Sequence, residues 1–183
     1  MLRARTVSEA FLYLDMHPCG CGRLQFDGTH DLLESADGTV LRLTGKCPDC
    51  GADRHYEFIL EPTAESDGEG ARTPSALLDP GEYLWLSDRA AGRVPVDTGG
   101  LTSEQVEAAR QEMSRAVERL EEVLAFIPAD STEVAPELLT STTAQVLLDT
   151  APTRFTRVDL TERIGLYRKK LSQLDDQLNE RAD

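Results

Sequence analysis

Aromatic residues, lysines and long apolar runs are all scarce in this chain of 183 residues. Aromatics make up 5% of the composition, and three lysines stand against sixteen arginines, a bias that we attribute to a GC-rich bacterial genome. No stretch approaches the roughly 20 apolar residues that a membrane-spanning helix needs. The apolar run 11–14 is too short for a signal peptide and is flanked by Glu9 and Asp15. The sequence therefore predicts a soluble, cytoplasmic protein that does not associate with membranes.

Recognisable catalytic motifs are also missing. The chain has neither a Gly-x-Ser-x-Gly elbow nor a His-Glu-x-x-His helix. Gly68-Glu69-Gly70 lacks the strand-to-helix context that a phosphate-binding loop requires. We therefore expect a protein without enzymatic activity.

Negative charge dominates the ionisable residues. The formal net charge is −14, and residues 1–60, with six basic and nine acidic side chains, account for only −3 of it. A surface of this sign repels phosphate backbones, which makes nucleic acid an unlikely partner. It suits a basic protein partner or simple solubility.

Cysteine is the informative residue type. The chain contains four, in two close pairs: Cys19, Cys21, Cys47 and Cys50. Two turns that each present two thiolates match the tetrahedral coordination of zinc. In the second pair, Pro48 stiffens the turn and Gly51 can adopt the positive φ that directs backbone amides at sulfur. Two disulfides or four free thiols are the alternatives.

The motif Cys-Pro-Asp-Cys-Gly at residues 47–51 resembles the second knuckle of the zinc-ribbon family, and the resemblance extends over about residues 17–60. It implies one structural Zn²⁺ ion per chain, held by four thiolates with no coordination position open for water. One departure is the Cys-x-Cys spacing of the first pair, where ribbons usually have Cys-x-x-Cys. This departure makes His17 a candidate alternative or outer ligand.

The fold class expected is α+β, with a small antiparallel zinc-ribbon β module followed by a mainly α-helical region. Residues 1–60 hold a short helix over residues 7–16, with Ser8 as the candidate cap and an extended strand as the alternative, followed by the ribbon, with Asp37-Gly38 as a hairpin turn. Residues 61–74 are an acidic linker containing glycine and proline, and residues 75–183 form the helical domain.

Helix-start signals and apolar spacing predict the helical domain. Asp79-Pro80 and the box Thr102-Ser103-Glu104-Gln105 mark two helix starts. The first long helix begins at this box and runs to about Phe126, and the second covers roughly residues 158–180. Both carry apolar rows with a period of about 3.5 residues. The rows are Val106, Ala109, Met113, Ala116, Leu120, Val123 and Ile127, then Leu160, Ile164, Tyr167, Leu171, Leu174 and Leu178. We expect an antiparallel helical hairpin; a homodimer through these rows is the alternative.

Five side chains of the helical domain are candidate contacts for a protein partner: Tyr83, Trp85, Glu118, Glu121 and Glu122. The first two are expected either to fill the core or to anchor a partner, and the three glutamates form a local acidic excess. The leading hypothesis is a non-catalytic zinc protein that binds another protein, as an adaptor, a chaperone or an immunity-type inhibitor does. A nucleic-acid-associated zinc ribbon and a zinc-dependent enzyme are the alternatives.

Overall fold

A computed structural model describes residues 1–36, 38–61 and 73–182, without the side chain of Ala182. The hairpin residue Asp37 and most of the predicted linker, residues 62–72, lie outside the described residues. The structure is α+β, as predicted. It divides into two compact units, one formed by the chain up to Glu61 together with Ser75–Leu78, and the other by Thr73 and Pro74 together with the chain from Asp79 onward.

The first unit is a four-stranded sheet with one helix, α1. Its elements are β1 (Leu2–Ala4), α1 (Val7–Met16), β2 (Gly28–Ser35), β3 (Gly38–Lys46) and β4 (Asp53–Leu60). The strand order is β1-β4-β3-β2, with β2, β3 and β4 antiparallel, as expected. The sheet is nevertheless mixed, because β1 pairs in parallel with the end of β4, from Leu2 opposite Phe58 to Ala4 opposite Leu60.

One small core cluster lies beneath this sheet. Leu41, Leu43 and Phe58 project from the strands, and Ala10 and Leu14 project from α1. All five side chains are almost fully buried. Leu77, from a segment that the sequence assigned to the helical domain, packs against the same cluster.

Helix α1 has the predicted bounds but not the expected cap. The hydroxyl of Thr6 accepts a hydrogen bond from the Glu9 backbone N–H, so Thr6 is the N-cap, although Ser8 was the residue the sequence favoured. The Glu9 carboxylate reaches back to Arg5, whose backbone N–H donates to it at 2.6 Å and whose guanidinium lies 2.7 Å away. A buried acidic side chain therefore stabilises the start of the helix.

The second unit is helical. Its elements are α2 (Pro80–Ala91), α3 (Ser103–Ala125), α4 (Thr142–Thr150) and α5 (Arg157–Ala182), with 3₁₀ turns at Pro136–Leu138 and Pro152–Phe155. The predicted capping box of Thr102 with Gln105 forms, and the predicted cap Asp79 forms a second capping box with Glu82. The second carboxylate oxygen of Asp79 also accepts the backbone N–H of Ser141, so one side chain joins the starts of α2 and α4.

The long helices α3 and α5 pack against each other as the predicted hairpin. Every residue of the α3 row is buried. On α5 the row is buried at Leu160, Ile164 and Leu174, while Tyr167, Leu171 and Leu178 are half-buried and pack against the α3 cluster. Each row is thus covered by the other within one chain. A homodimer through these rows is not needed to bury them and stays a prediction.

Candidate metal centre

The four cysteine sulfurs converge at the end of the sheet where β3 delivers Cys47. All four Sγ atoms lie within 4.8 Å of one another. Cys19 is 3.6 Å from Cys50, and Cys21 is 3.5 Å from Cys47. A disulfide needs about 2.05 Å between sulfurs, so all four are free thiols. A tetrahedral Zn–S distance of about 2.3 Å places its sulfurs about 3.8 Å apart. The cluster therefore has the size of a tetrahedral metal site.

The second knuckle holds its sulfurs through a compact turn. The Gly51 backbone N–H donates to the Cys47 carbonyl at 2.9 Å, and the Cys47 N–H donates to the Ala52 carbonyl at 2.8 Å. Gly51 has φ of 69°, as expected from the motif. Because side chains rarely adopt this conformation, glycine permits the chain to reverse directly after the second cysteine.

The first knuckle repeats this turn with one residue fewer. The Gly22 N–H donates to the Cys19 carbonyl at 2.7 Å, and the Cys19 N–H donates to the Arg23 carbonyl at 2.9 Å. Gly22 has φ of 91° and takes the place that Gly51 has in the other knuckle. A glycine after Cys21 thus lets a Cys-x-Cys segment present two sulfurs to the same point, which explains the departure from the ribbon spacing.

The thiols of Cys47 and Cys50 differ in proton affinity because backbone amides and neighbouring sulfurs affect each pKa differently. The backbone N–H of Cys50 is the main cause that lowers the pKa of Cys47 to about 6. The Ala52 amide also lowers the pKa of Cys50, but hydrogen bonds with the other three thiols together outweigh it and raise this pKa to about 12. Four sulfurs this close cannot all carry negative charge unless a positive ion lies between them. A divalent metal ion that binds thiolates removes the conflict.

His17 is not a member of the sulfur cluster. Its Nδ1 lies 2.8 Å from the Tyr13 carbonyl oxygen, and its ring stacks on the Tyr13 ring with centroids 3.7 Å apart. The ring therefore packs on the helix that precedes the first knuckle. His17 contributes through its backbone instead, because its carbonyl oxygen accepts a hydrogen bond from Arg54.

Arg54 is the residue near the site that the sequence analysis missed. It is 4% exposed and donates to the His17 carbonyl at 3.0 Å and to the Gln25 carbonyl at 3.2 Å. Its guanidinium lies 5.5 Å from the ring centroids of both Phe26 and Tyr56. The arginine thus ties together the segments that enter and leave the first knuckle. The only sequence signal was a basic residue four positions after Cys50.

The predicted partner contacts divide between core and surface. Tyr83 is 1% exposed and lies beside Phe126, so its ring fills the helical core. Trp85 is half-buried, with the Arg89 guanidinium 5.3 Å from its ring centroid. Glu118 is exposed and accepts a hydrogen bond from Ser114, whereas Glu121 pairs with Arg168 at 2.7 Å. Glu122 is half-buried. Trp85 and Glu118 remain the candidates best placed to meet a partner.

The comparisons with known protein families, with curated proteins and with solved structures found no match to this chain. Among the described residues, none of the helices combines the length and the apolar character needed to cross a bilayer.

Proposed function

We propose that this chain is a zinc-binding protein of the bacterial cytoplasm that acts by binding another protein and not by catalysis. The observation that carries the proposal is the cluster of four cysteine sulfurs at the spacing of a tetrahedral ion. Zn²⁺ is the ion best suited to four thiolates presented by two tight turns. A reducing compartment suits these free thiols.

The donor set supports a structural role for the metal. Four thiolates complete the coordination of Zn²⁺, and catalytic zinc sites keep one position for water or substrate. The ion would therefore stabilise the first unit, whose core cluster is small. Stabilisation by a bound metal ion is common in small domains that cannot bury enough apolar surface to fold alone.

The expected partner is a protein with a basic surface. Residues 61–183 carry thirteen basic and twenty-four acidic side chains, an excess of −11. Complementary charge accelerates association and selects among partners. Added salt screens this attraction, which at physiological ionic strength falls off over a Debye length of about 8 Å. Binding should therefore weaken as the salt concentration rises.

Metal analysis tests the zinc part of the proposal. Elemental analysis of untagged protein should find one zinc per chain, and a cobalt-substituted sample should show the intense charge-transfer and ligand-field bands of a tetrahedral four-sulfur site. Protein without stoichiometric metal, or a cobalt spectrum that indicates nitrogen or water ligands, would contradict it.

Affinity capture at low and high salt tests the partner part. The native protein is compared with Glu118→Lys, and Glu104→Lys, an exposed glutamate at the start of α3, serves as the matched charge-reversal control. We expect capture of a basic protein that falls with salt and with Glu118→Lys more than with the control. Recovery of the protein alone under all conditions would count against an adaptor, a chaperone and an inhibitor alike.

A further inference from the structure

The free edge of β2 is the surface from which a further inference follows. Strand β2 lies at the end of the sheet and pairs with no strand on its outer side among the described residues. All eight of its residues, Gly28–Ser35, are exposed. A strand edge of this kind presents a row of backbone N–H and C=O groups to any other strand that approaches.

Several of the usual protections of an edge strand are missing from β2, although the strand carries the charged residues Asp31 and Glu34. It contains neither lysine nor proline, and its register with β3 runs without a bulge from Gly28 opposite Gly45 to Ser35 opposite Gly38. Eight residues is long for an exposed edge. A regular edge without a bulge, a lysine or a proline is a surface that can accept another strand.

The face of β2 on the core side is partly apolar and open. Leu32 lies opposite the fully buried Leu41, yet Leu32 itself is 58% exposed. The neighbouring His30 meets the edge of the Phe11 ring from α1, and Phe11 is also exposed. The apolar face beneath the sheet therefore continues to its free edge and ends there at Leu32.

We propose that the β2 edge pairs with the β2 edge of a second copy of this chain, antiparallel and with Leu32 opposite Leu32. This proposal goes beyond the proposed function, since it does not depend on which partner the acidic surface binds. The choice of a second copy as the partner strand rests on the backbone pairing rules and on the side chains of β2 itself.

Backbone geometry restricts the possible registers. In an antiparallel pair, only alternate residues direct their N–H and C=O groups towards the partner strand. When a strand pairs with its own copy, even-numbered residues must therefore face even-numbered ones. Two such registers overlap over seven of the eight residues, one centred on Asp31 and one centred on Leu32.

Side-chain chemistry selects between the two registers. Centring on Asp31 places this carboxylate directly opposite its own copy, and like charges in that position are destabilising. Centring on Leu32 joins two exposed leucines and places His30 opposite Glu34 on both sides of the two-fold axis. An imidazole N–H can donate to a carboxylate, so each pair is complementary. Residues 1–60 carry a net charge of only −3, so repulsion between copies is weak there.

Sedimentation velocity of the zinc-loaded full chain tests the proposal. An interface of one strand pair is smaller than the standard size, so we expect a monomer–dimer equilibrium between roughly 1 µM and 1 mM. Leu32→Lys places two ammonium groups on the axis and should weaken association at least about tenfold. Val146→Lys, at a helical position with similar exposure, is the control and should leave association unchanged.

A charge exchange then tests the register. His30→Glu and Glu34→His should each weaken the dimer several-fold, because they set like groups opposite each other, while the double variant restores the complementary pairs and the association. Circular dichroism and zinc content establish that each variant is folded. A chain that stays monomeric up to 1 mM overturns the proposal. So does a dimer that responds to Val146→Lys and not to Leu32→Lys, or a double variant as weak as the two singles.

Discussion

The two units of this chain solve the problem of burying a core in different ways. The helical unit buries a continuous apolar row along α3 against α5 and closes its helix starts with side-chain caps. The first unit buries a small apolar cluster between one helix and one face of its sheet. The four cysteine sulfurs lie together at one end of that sheet. The comparison teaches that long helices can bury enough apolar surface through packing, whereas a short-stranded unit of this size buries less and is the one that the proposed metal ion would stabilise.

Removal of the metal should produce the largest difference in stability between the two units. A strong chelator, or the substitution Cys47→Ser, should unfold the first unit, since structural zinc contributes about 10 kcal/mol or more to folding in small zinc modules. Helices α2–α5 should remain folded. Far-ultraviolet circular dichroism should retain most of the helical signal, while amide NMR signals of the strands collapse. Restoring zinc after chelation should recover them, and a chain whose melting ignores the chelator would refute this division.

A cavity in the helical core should destabilise the helical unit and leave the metal site of the first unit unaffected. Leu120→Ala removes a fully buried side chain from the α3 row and should destabilise the helical unit by about 2–5 kcal/mol. Zinc stoichiometry should be unchanged. Leu166→Ala, at a position that is 66% exposed, is the matched control and should change the stability by less than about 0.5 kcal/mol. Urea denaturation followed by helical signal gives both values; equal effects would mean that the row is not the core.

Arg54→Met should weaken the metal site without removing a ligand. The substitution keeps an apolar stem between Phe26 and Tyr56 but loses the hydrogen bonds to the His17 and Gln25 carbonyls. Residues that orient a metal site from outside the ligand shell typically change the affinity by 10- to 100-fold. Competition with a chromophoric chelator measures it. Arg42→Met, which removes an exposed pair with Glu57, should leave the zinc affinity unaltered.

The smallest expected effect is the dependence of the first unit on the charge of Glu9. Burial alone would raise the pKa of Glu9, but hydrogen bonds from Arg5 and Ser75 and the Arg5 charge outweigh it and lower the pKa. A lowered pKa in the folded state stabilises the fold above the ordinary value of about 4.5, and this contribution is lost as pH falls through the lowered pKa.

The variant Glu9→Gln isolates this contribution. At pH 7 it should cost about 1 kcal/mol of stability, because the amide retains part of the hydrogen bonding. The difference from the native protein should shrink as the pH falls below about 4.5 and through the lowered pKa of Glu9. Denaturation midpoints of the native protein and of Glu9→Gln, measured over the same pH range, test this prediction. A difference in stability that grows in acid would mean that the pKa of Glu9 is raised in the folded state and not lowered.

Local chemistry made much of the fold predictable. Thr102 with Gln105 and Asp79 with Pro80 located two helix starts, since a cap depends only on residues within one turn. The apolar rows of α3 and α5 predicted their packing for a similar reason, as periodicity decides which face is buried. The four cysteines were correctly expected to meet, although whether their ion is zinc remains a proposal.

Features that depend on distant contacts were not predictable. The three-residue strand β1 has no sequence pattern, and it exists only because β4 provides an edge for it. Thr6 rather than Ser8 caps α1, and its hydroxyl accepts the hydrogen bond from the Glu9 backbone N–H. Tyr83 was expected either in the core or against a partner, and packing beside Phe126 places it in the core.

By itself, the amino-acid sequence determined the α+β class, the helix starts, the apolar rows and the grouping of the cysteines into two turns, because each depends on neighbours within a few residues. Only the tertiary structure decided that the sulfurs lie at the spacing of a tetrahedral ion and that Arg54 supports the first knuckle. It also decided that β2 lies at an end of the sheet, where it pairs with no further strand of the described part of the chain. Each of these results from segments far apart in the chain, and no local pattern records which distant residues will meet.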